Sequence, residues 1–219
     1  SLRPKKFDAA ILLQNAIEAA IIAYVAGIGV RAGYSTDGRG FLLTHPVRRS
    51  ADILRVHQID YYLEMVKALG CADVDHSLRL ETSLSTATTR EILRKYLPEN
   101  NRPLIGIAPG AMYGPAKRWL PERFAQAGES LAKKLDAQVL LFGGGDDWET
   151  AELVRGQAQT DMMNLAGRTS LEDSVYLISQ CRLFLSNDSG LMHVAGGLNI
   201  PTVAIFGSTN PVTTSPAGE

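Results

Sequence analysis

Asn187-Asp188-Ser189-Gly190 follows a short apolar run and opens a helix-length segment. Asp188 or Ser189 can cap that helix, and the free amides around Gly190 then form a cradle suited to an anion such as phosphate. His193 stands four residues after Ser189, on the same helical face, so its ring is aimed at the same place. A capped helix with a buried histidine is the bland account of this segment taken alone. Lys117-Arg118 lies in a second loop, where a cation could neutralise a diphosphate held at the helix terminus through charge-assisted bonds worth roughly 1.5–3 kcal/mol each. On its own, Lys117 would be a solvated surface charge. In a third loop, Gly143-Gly144-Gly145-Asp146-Asp147, two carboxylates would repel phosphate, yet acids such as Glu149 or Asp146 can accept hydrogen bonds from a ribose diol. Helix N-terminal acids complementing the macrodipole explain the same letters equally well. A diphosphate and a ribose together describe a nucleotide.

Other apparent motifs fail on context. Gly27, Gly29 and Gly33 follow an apolar helix rather than a strand and lack the spacing of a dinucleotide fingerprint. Asp188, Ser189 and His193 have the letters of a hydrolase triad, but side chains four apart on one helix point outward in parallel, and there is no G-x-S-x-G elbow. No Walker sequence occurs, and the four histidines and two cysteines show no metal-ligand spacing, so no metal site of the chain's own is expected.

In an open parallel sheet, ligands bind outside the carboxyl ends of the strands, which is where these loops must lie if they form one site. From Asn101 onward, short aliphatic runs alternate with helix-length segments, the pattern of repeated βα units. Strands are expected at Leu104–Ala108, Gln138–Phe142, Met162–Leu165, Leu183–Ser186 and Thr202–Phe206. The loops Pro109–Lys117, Gly143–Glu149, Asn187–His193 and Gly207–Asn210 all follow them. Pro121 suits a first helical position, Phe124, Leu131 and Leu135 share a face, and Lys133 and Lys134 sit where a helix C-terminus favours cations. Thr169 with Glu172 reads as a capping box opening a helix whose inward stripe is Leu171, Val175 and Ile178. Earlier, a strand at Phe7–Leu13, an apolar helix, a short Gly33–Thr44 stretch and a long amphipathic helix from Asp52 to Leu69 are expected. Glu99-Asn100-Asn101-Arg102-Pro103 is the linker candidate, giving domains at 1–100 and 101–219.

Composition narrows the class. The chain is 45% hydrophobic and 21% charged, enough apolar surface for a packed core, which excludes disorder and disulfide scaffolds. A net charge of −1 gives no whole-molecule attraction to nucleic acid. Residues 1–50 nevertheless carry seven basic and three acidic side chains, and Lys5, Lys6, Arg31, Arg39, Arg48 and Arg49 could face an anionic partner. Cys71 and Cys181 form no pattern and read as reduced thiols, hence a reducing, cytoplasmic compartment. The run Ala9–Val30 is interrupted by Gln14, Asn15 and Glu18, too short an apolar stretch to span a membrane.

Three segments together carry a resemblance: Ala108-Pro109-Gly110-Ala111 with Gly114-Pro115-Ala116-Lys117-Arg118-Trp119, Leu165-Ala166-Gly167, and Asn187 through Ala195. They resemble the bacterial ADP-heptose:lipopolysaccharide heptosyltransferases, and the Gly114–Trp119 loop favours the second enzyme of that family over the first. The resemblance implies a GT-B α/β fold of two Rossmann-like, doubly wound parallel-sheet domains. It implies inverting transfer of heptose from ADP-L-glycero-D-manno-heptose to a phosphorylated lipopolysaccharide core at the inner membrane surface, with no cofactor and no essential metal. It also implies roles. Lys117 and Asp188 are the catalytic pair, with Lys117 on diphosphate and sugar. Ser189 and Gly190 hold phosphate, Asp188 and His193 face the heptose, Glu149 takes the ribose, and Ala111, Met112 and Tyr113 complete the donor site.

Two departures stand out. Leu120 replaces a proline common in the family after the tryptophan. The family's first strand, whose loop carries the aspartate expected as general base, has no counterpart ahead of Ser1, and a C-terminal segment after Pro211 is also expected to be absent. In-line attack would then rely on the amide cradle and Lys117 to stabilise the departing ADP. The rival readings are a UDP-sugar 2-epimerase of the same architecture and a non-catalytic nucleotide-binding fragment.

Overall fold

The computed structural model describes residues 2–72, 78–98, 102–112 and 115–217. It divides into two compact units, Ser1–His76 and Ser77–Glu219.

The first unit is a three-stranded parallel sheet in the order β1-β2-β3, formed by Ala9–Leu12 (β1), Val30–Tyr34 (β2) and His45–Val47 (β3). The apolar helix α1, Ile17–Val25, links the first two strands, and Ala20 of α1 packs with Leu42 and Leu43. The expected helix from Asp52 to Leu69 is broken. A 3-10 turn at Asp52–Leu54 precedes α2, Gln58–Ala68, because His57 takes an extended backbone and its Nδ1 accepts from the Ile59 amide at 3.2 Å, capping α2. Tyr34, Tyr61 and Met65 form the second small core of this unit, with the Tyr34 hydroxyl donating to the Tyr61 carbonyl at 2.7 Å. Gly33 is explained here without any nucleotide. A Cβ on it would lie 3.0 Å from the Leu12 carbonyl and 3.3 Å from the Arg39 guanidinium, so a side chain here would crowd the buried arginine.

The second unit has five parallel strands in the order β6-β5-β4-β7-β8. They are Leu104–Ala108 (β4), Gln138–Leu141 (β5), Met162–Asn164 (β6), Cys181–Asn187 (β7) and Thr202–Ile205 (β8). Helices α4 (Pro121–Leu135), α5 (Trp148–Gln157), α6 (Leu171–Ser179) and α7 (Gly190–Gly197) make the crossovers. Strand alternation divides the core between the two faces. Ile105, Ile107, Val139 and Leu141 pack with Phe124 and Val154, while Leu140, Phe142 and Phe184 pack with Leu177, Ile178 and Ala195.

Helix α3, Thr86–Tyr96, precedes the expected boundary, yet Ile92 and Tyr96 are buried in this second core and the Tyr96 hydroxyl donates to Asp173 at 2.9 Å. Glu99, Asn100 and Asn101 of the expected linker lie outside the described residues. Two local expectations about α6 are corrected. Ser170, not Thr169, is its cap, accepting from the Asp173 amide at 3.0 Å, while the Thr169 hydroxyl bonds Ser174 at 2.6 Å. Of the expected stripe, Ile178 is buried, Val175 half-buried and Leu171 exposed in the first turn, and Tyr176 and Leu177 join Ile178 as the buried apolar side chains of α6. Among the described residues no helix is long and apolar enough to cross a membrane.

Candidate functional site

Strands β4, β5 and β6 follow one another toward one edge of the second sheet, whereas β7 returns to the other side of β4. The crevice between β4 and β7 is therefore the topological switch point, the place where an open α/β sheet receives ligands at its carboxyl end. The loop after β4 carries Ala111, Met112 and Lys117, and the loop after β7 carries Asp188, Ser189 and Gly190. Sheet topology brings them together.

Lys117 Nζ donates to Asp188 Oδ2 at 2.8 Å, with the two side chains 20% and 9% exposed. Thr209, from the loop after β8, donates to the same oxygen at 2.7 Å. Burial by itself would raise the Asp188 pKa. Hydrogen bonds from Lys117 and Thr209, with the charges of Lys117 and His193, outweigh it and hold the carboxyl below its ordinary value. The group is an anion fixed in place against the Lys117 ammonium. His193 lies one turn into α7, half-buried, close enough for its charge to act on Asp188.

The expected capping of α7 is not what the structure shows. Ser189 occupies the cap position with no side-chain bond to the helix, its hydroxyl lying 3.1 Å from that of Ser186, and Asp188 is engaged by Lys117 and Thr209. Gly190, the first residue of α7, is exposed, and a Cβ there would meet nothing within 4 Å. The amides of the first helical turn are thus left without a side-chain cap and carry the partial positive charge that favours anions.

Backbone packing sets the lysine loop. Asn187, fully buried at the end of β7, donates from Nδ2 to the Pro109 carbonyl at 2.7 Å and accepts at Oδ1 from the Trp119 amide at 2.9 Å. The Trp119 ring packs edge-on against Phe124, with centroids 5.2 Å apart, and Arg118 Nε donates to the Ala111 carbonyl at 3.2 Å. A Cβ on Gly207 would lie 2.2 Å from the Ala116 carbonyl oxygen, so the loop after β8 sits directly against the lysine loop. Ala111 is buried and Met112 is 73% exposed at the same edge; Tyr113 lies outside the described residues.

In the glycine-rich loop after β5, Asp147 is the anchored acid. Its Oδ2 accepts from the Gly144 amide at 2.9 Å, and a Cβ on Gly110 would meet Asp147 Oδ1 at 2.1 Å, which puts this carboxylate against the β4 loop. Asp146 and Glu149 are exposed, Glu149 in the first turn of α5. Sequence reasoning passed over Asn187, Thr209 and Asp147 as site-building residues. The partners of Asn187 and Thr209 are remote in the chain, and Asp147 is one of three acids within four residues, with nothing local to single it out. Among the described residues no group of three or more His, Cys, Asp or Glu side chains is placed to hold a metal.

Arg39, expected as a basic side chain open to a partner, is fully buried. It donates to the Tyr34 carbonyl at the end of β2 at 2.8 Å, and to the Ala16 carbonyl at 3.3 Å and the Gln14 carbonyl between β1 and α1, so it serves backbone carbonyls instead of solvent. Arg31 likewise donates to the Leu42 carbonyl at 2.7 Å and lies over the Tyr24 ring.

The profile of glycosyltransferase family 9 (heptosyltransferase) matches residues 1–219. The chain belongs to this family. Among its relatives in family 9, lipooligosaccharide heptosyltransferase 2 of Haemophilus ducreyi is 36% identical, over 99% of this chain and 65% of the relative. Lipopolysaccharide heptosyltransferase 2 of Escherichia coli K12 is 33% identical over 99% of this chain and 64% of the relative. The solved structure of E. coli ADP-heptose lps heptosyltransferase II superposes with a TM-score of 0.85 at 32% identity, covering all of this chain and 68% of that one. The two parallel-sheet units are those of the family 9 GT-B-type fold, and the chain spans 64–65% of the length of these two curated relatives.

Proposed function

We propose that the second unit binds the ADP of an ADP-heptose donor and that the chain acts in inverting heptosyl transfer to a lipopolysaccharide core. The observation that carries this reading is the Lys117–Asp188 pair at the β4/β7 switch point, beside the uncapped first turn of α7. In this reading the positive charge of Lys117 faces one phosphate oxygen and the α7 amides take a second anionic oxygen. In the transfer step the acceptor hydroxyl oxygen bonds to the anomeric carbon as the bond to the diphosphate breaks. The electron pair leaves with ADP and the hydroxyl proton passes to a base. Charge grows on the diphosphate as that bond lengthens, so donors already fixed there bind the transition state better than the ground state.

In this reading Lys117 and Asp188 are the catalytic pair, Ser189 and Gly190 hold phosphate, His193 and Asp188 face the sugar, Glu149 takes the ribose, and Ala111, Met112 and Tyr113 border the donor. No metal or cofactor is assigned a part. The acceptor is a phosphorylated core reached from the cytoplasmic side of the inner membrane.

Base choice tests the proposal. A ligand that binds only the folded chain raises the unfolding temperature in proportion to RT ln(1 + [L]/Kd). Protection by ADP and not by UDP is expected; protection by UDP alone would transfer the site to the UDP-sugar epimerase reading.

A further inference from the structure

We infer that Asn187 is a positioning residue, closing the loop that carries Lys117 so that the lysine meets Asp188; its bearing on ligand binding rests on the nucleotide reading above. Asn187 is fully buried, and each end of its amide is committed. Nδ2 donates to the Pro109 carbonyl at 2.7 Å, where the loop leaves β4, and Oδ1 accepts from the Trp119 amide at 2.9 Å, where the loop returns toward α4.

An aliphatic side chain would fill a strand end as well as asparagine does, but it would leave the buried Pro109 carbonyl and the part-buried Trp119 N–H without this partner. A planar group presenting a donor and an acceptor side by side meets both needs at once. Pinning the two ends removes much of the freedom the loop would otherwise have. The next residue, Asp188, then takes the loop's lysine at 2.8 Å. Consecutive residues of one strand end thus hold the loop by its backbone and by its charge. The β8 loop closes the other side, since Gly207 leaves no room for a Cβ beneath the Ala116 carbonyl. Lysine has four side-chain torsions, so its ammonium is accurately placed only if its Cα is, and displacement of a binding group by about 1 Å can cost on the order of 100-fold in function.

The test uses the 219-residue chain as wild type, Asn187→Ala, Asn187→Asp, Lys117→Ala and the Asn187→Ala/Lys117→Ala double variant. Asn187→Asp keeps the size and the acceptor for Trp119 but sets a carboxylate against the Pro109 carbonyl, so it decides the matter if the alanine variant fails to fold. Amide hydrogen exchange over 109–119 is expected to rise at least about tenfold in both Asn187 variants while exchange in β5 and α4 stays as in wild type. ADP affinity by calorimetry is expected to fall about tenfold in Asn187→Ala, with the double variant no weaker than Lys117→Ala alone, because both changes remove one interaction. Unchanged exchange across 109–119 overturns the inference, and so do effects on ADP affinity that add in the double variant. A wild-type chain that binds no ADP would remove the nucleotide reading instead, and the exchange comparison would still decide for or against the clamp.

Discussion

Lys117 Nζ and Asp188 Oδ2 stand 2.8 Å apart although 71 positions separate them in the chain. The oxygen that takes the lysine also takes the Thr209 hydroxyl, so loops from three strand ends meet on a single carboxylate. Family membership says which kind of enzyme the chain is related to; this contact says where its charge is organised.

Replacing Lys117 by alanine leaves Asp188 nearly buried with only the Thr209 donor among these two. The loss of a hydrogen bond to a charged group is expected to cost roughly 1.5–3 kcal/mol of stability, read as a lower midpoint in urea. ADP affinity should fall about tenfold or more by calorimetry. Lys117→Arg should recover only part of it, because a planar guanidinium cannot reproduce the geometry of a compact ammonium. Unchanged ADP affinity in Lys117→Ala would take Lys117 out of the site.

The pH dependence has a definite sign. The Asp188 carboxyl is held below its ordinary 3.8 in the folded chain, so its contribution is fully present above about pH 5 and is lost as pH falls through the folded value. Unfolding free energy followed from pH 6 down to pH 3 should therefore drop more steeply in wild type than in Asp188→Asn. Parallel curves would show that the ion pair adds no proton-linked stability.

Two glycines should behave in opposite ways. In Gly207→Ala the new Cβ meets the Ala116 carbonyl, and overpacking against backbone is expected to cost about 1–3 kcal/mol and to weaken ADP by shifting the lysine loop. In Gly190→Ala nothing in the protein obstructs the Cβ and alanine favours a helix, so stability should hold or rise slightly. Weaker ADP binding with intact stability in Gly190→Ala is the result expected of a cradle whose occupant approaches the backbone closely.

The acids of the β5 loop should separate as well. Asp147→Ala removes the acceptor for the Gly144 amide and is expected to cost about 1 kcal/mol in thermal unfolding. Glu149 is exposed, so Glu149→Gln should change stability by less than about 0.5 kcal/mol. If Glu149 takes the ribose, the same change weakens ADP but not inorganic pyrophosphate. Equal losses for both ligands would assign the ribose elsewhere.

Much of the second unit was legible in the linear sequence. Aliphatic runs of four to five residues, alternating with helix-length segments, read as strands of a parallel sheet, and the five expected strands match those observed to within two residues at either end, although edge strand β8 is only partly buried. That the loops carrying Lys117, Asp188 and Gly207 all follow strands was likewise readable from order alone, since a parallel sheet sends every such loop to one edge. Short-range rules were weaker where two neighbours compete for one role. Thr169 and Ser170 can each cap a helix, and packing of the following face chose Ser170. The break at His57 in the expected Asp52–Leu69 helix has the same character.

Partnership between distant side chains could not be read in advance. Hydrogen bonding depends on distances of about 3 Å between particular atoms, and composition or periodicity specifies only which elements form and which faces they bury. The sequence by itself determined that a cation, a carboxylate and a helix start would share the carboxyl edge of a parallel sheet. Only the tertiary structure decided that Asp188 would bind Lys117 and Thr209 rather than cap α7, that Asn187 would tie both ends of the lysine loop, and that Arg39 would bond buried backbone carbonyls. In each case a buried polar group took the partner that sheet register brought within reach, because leaving it unpaired away from water costs more than any local preference supplies.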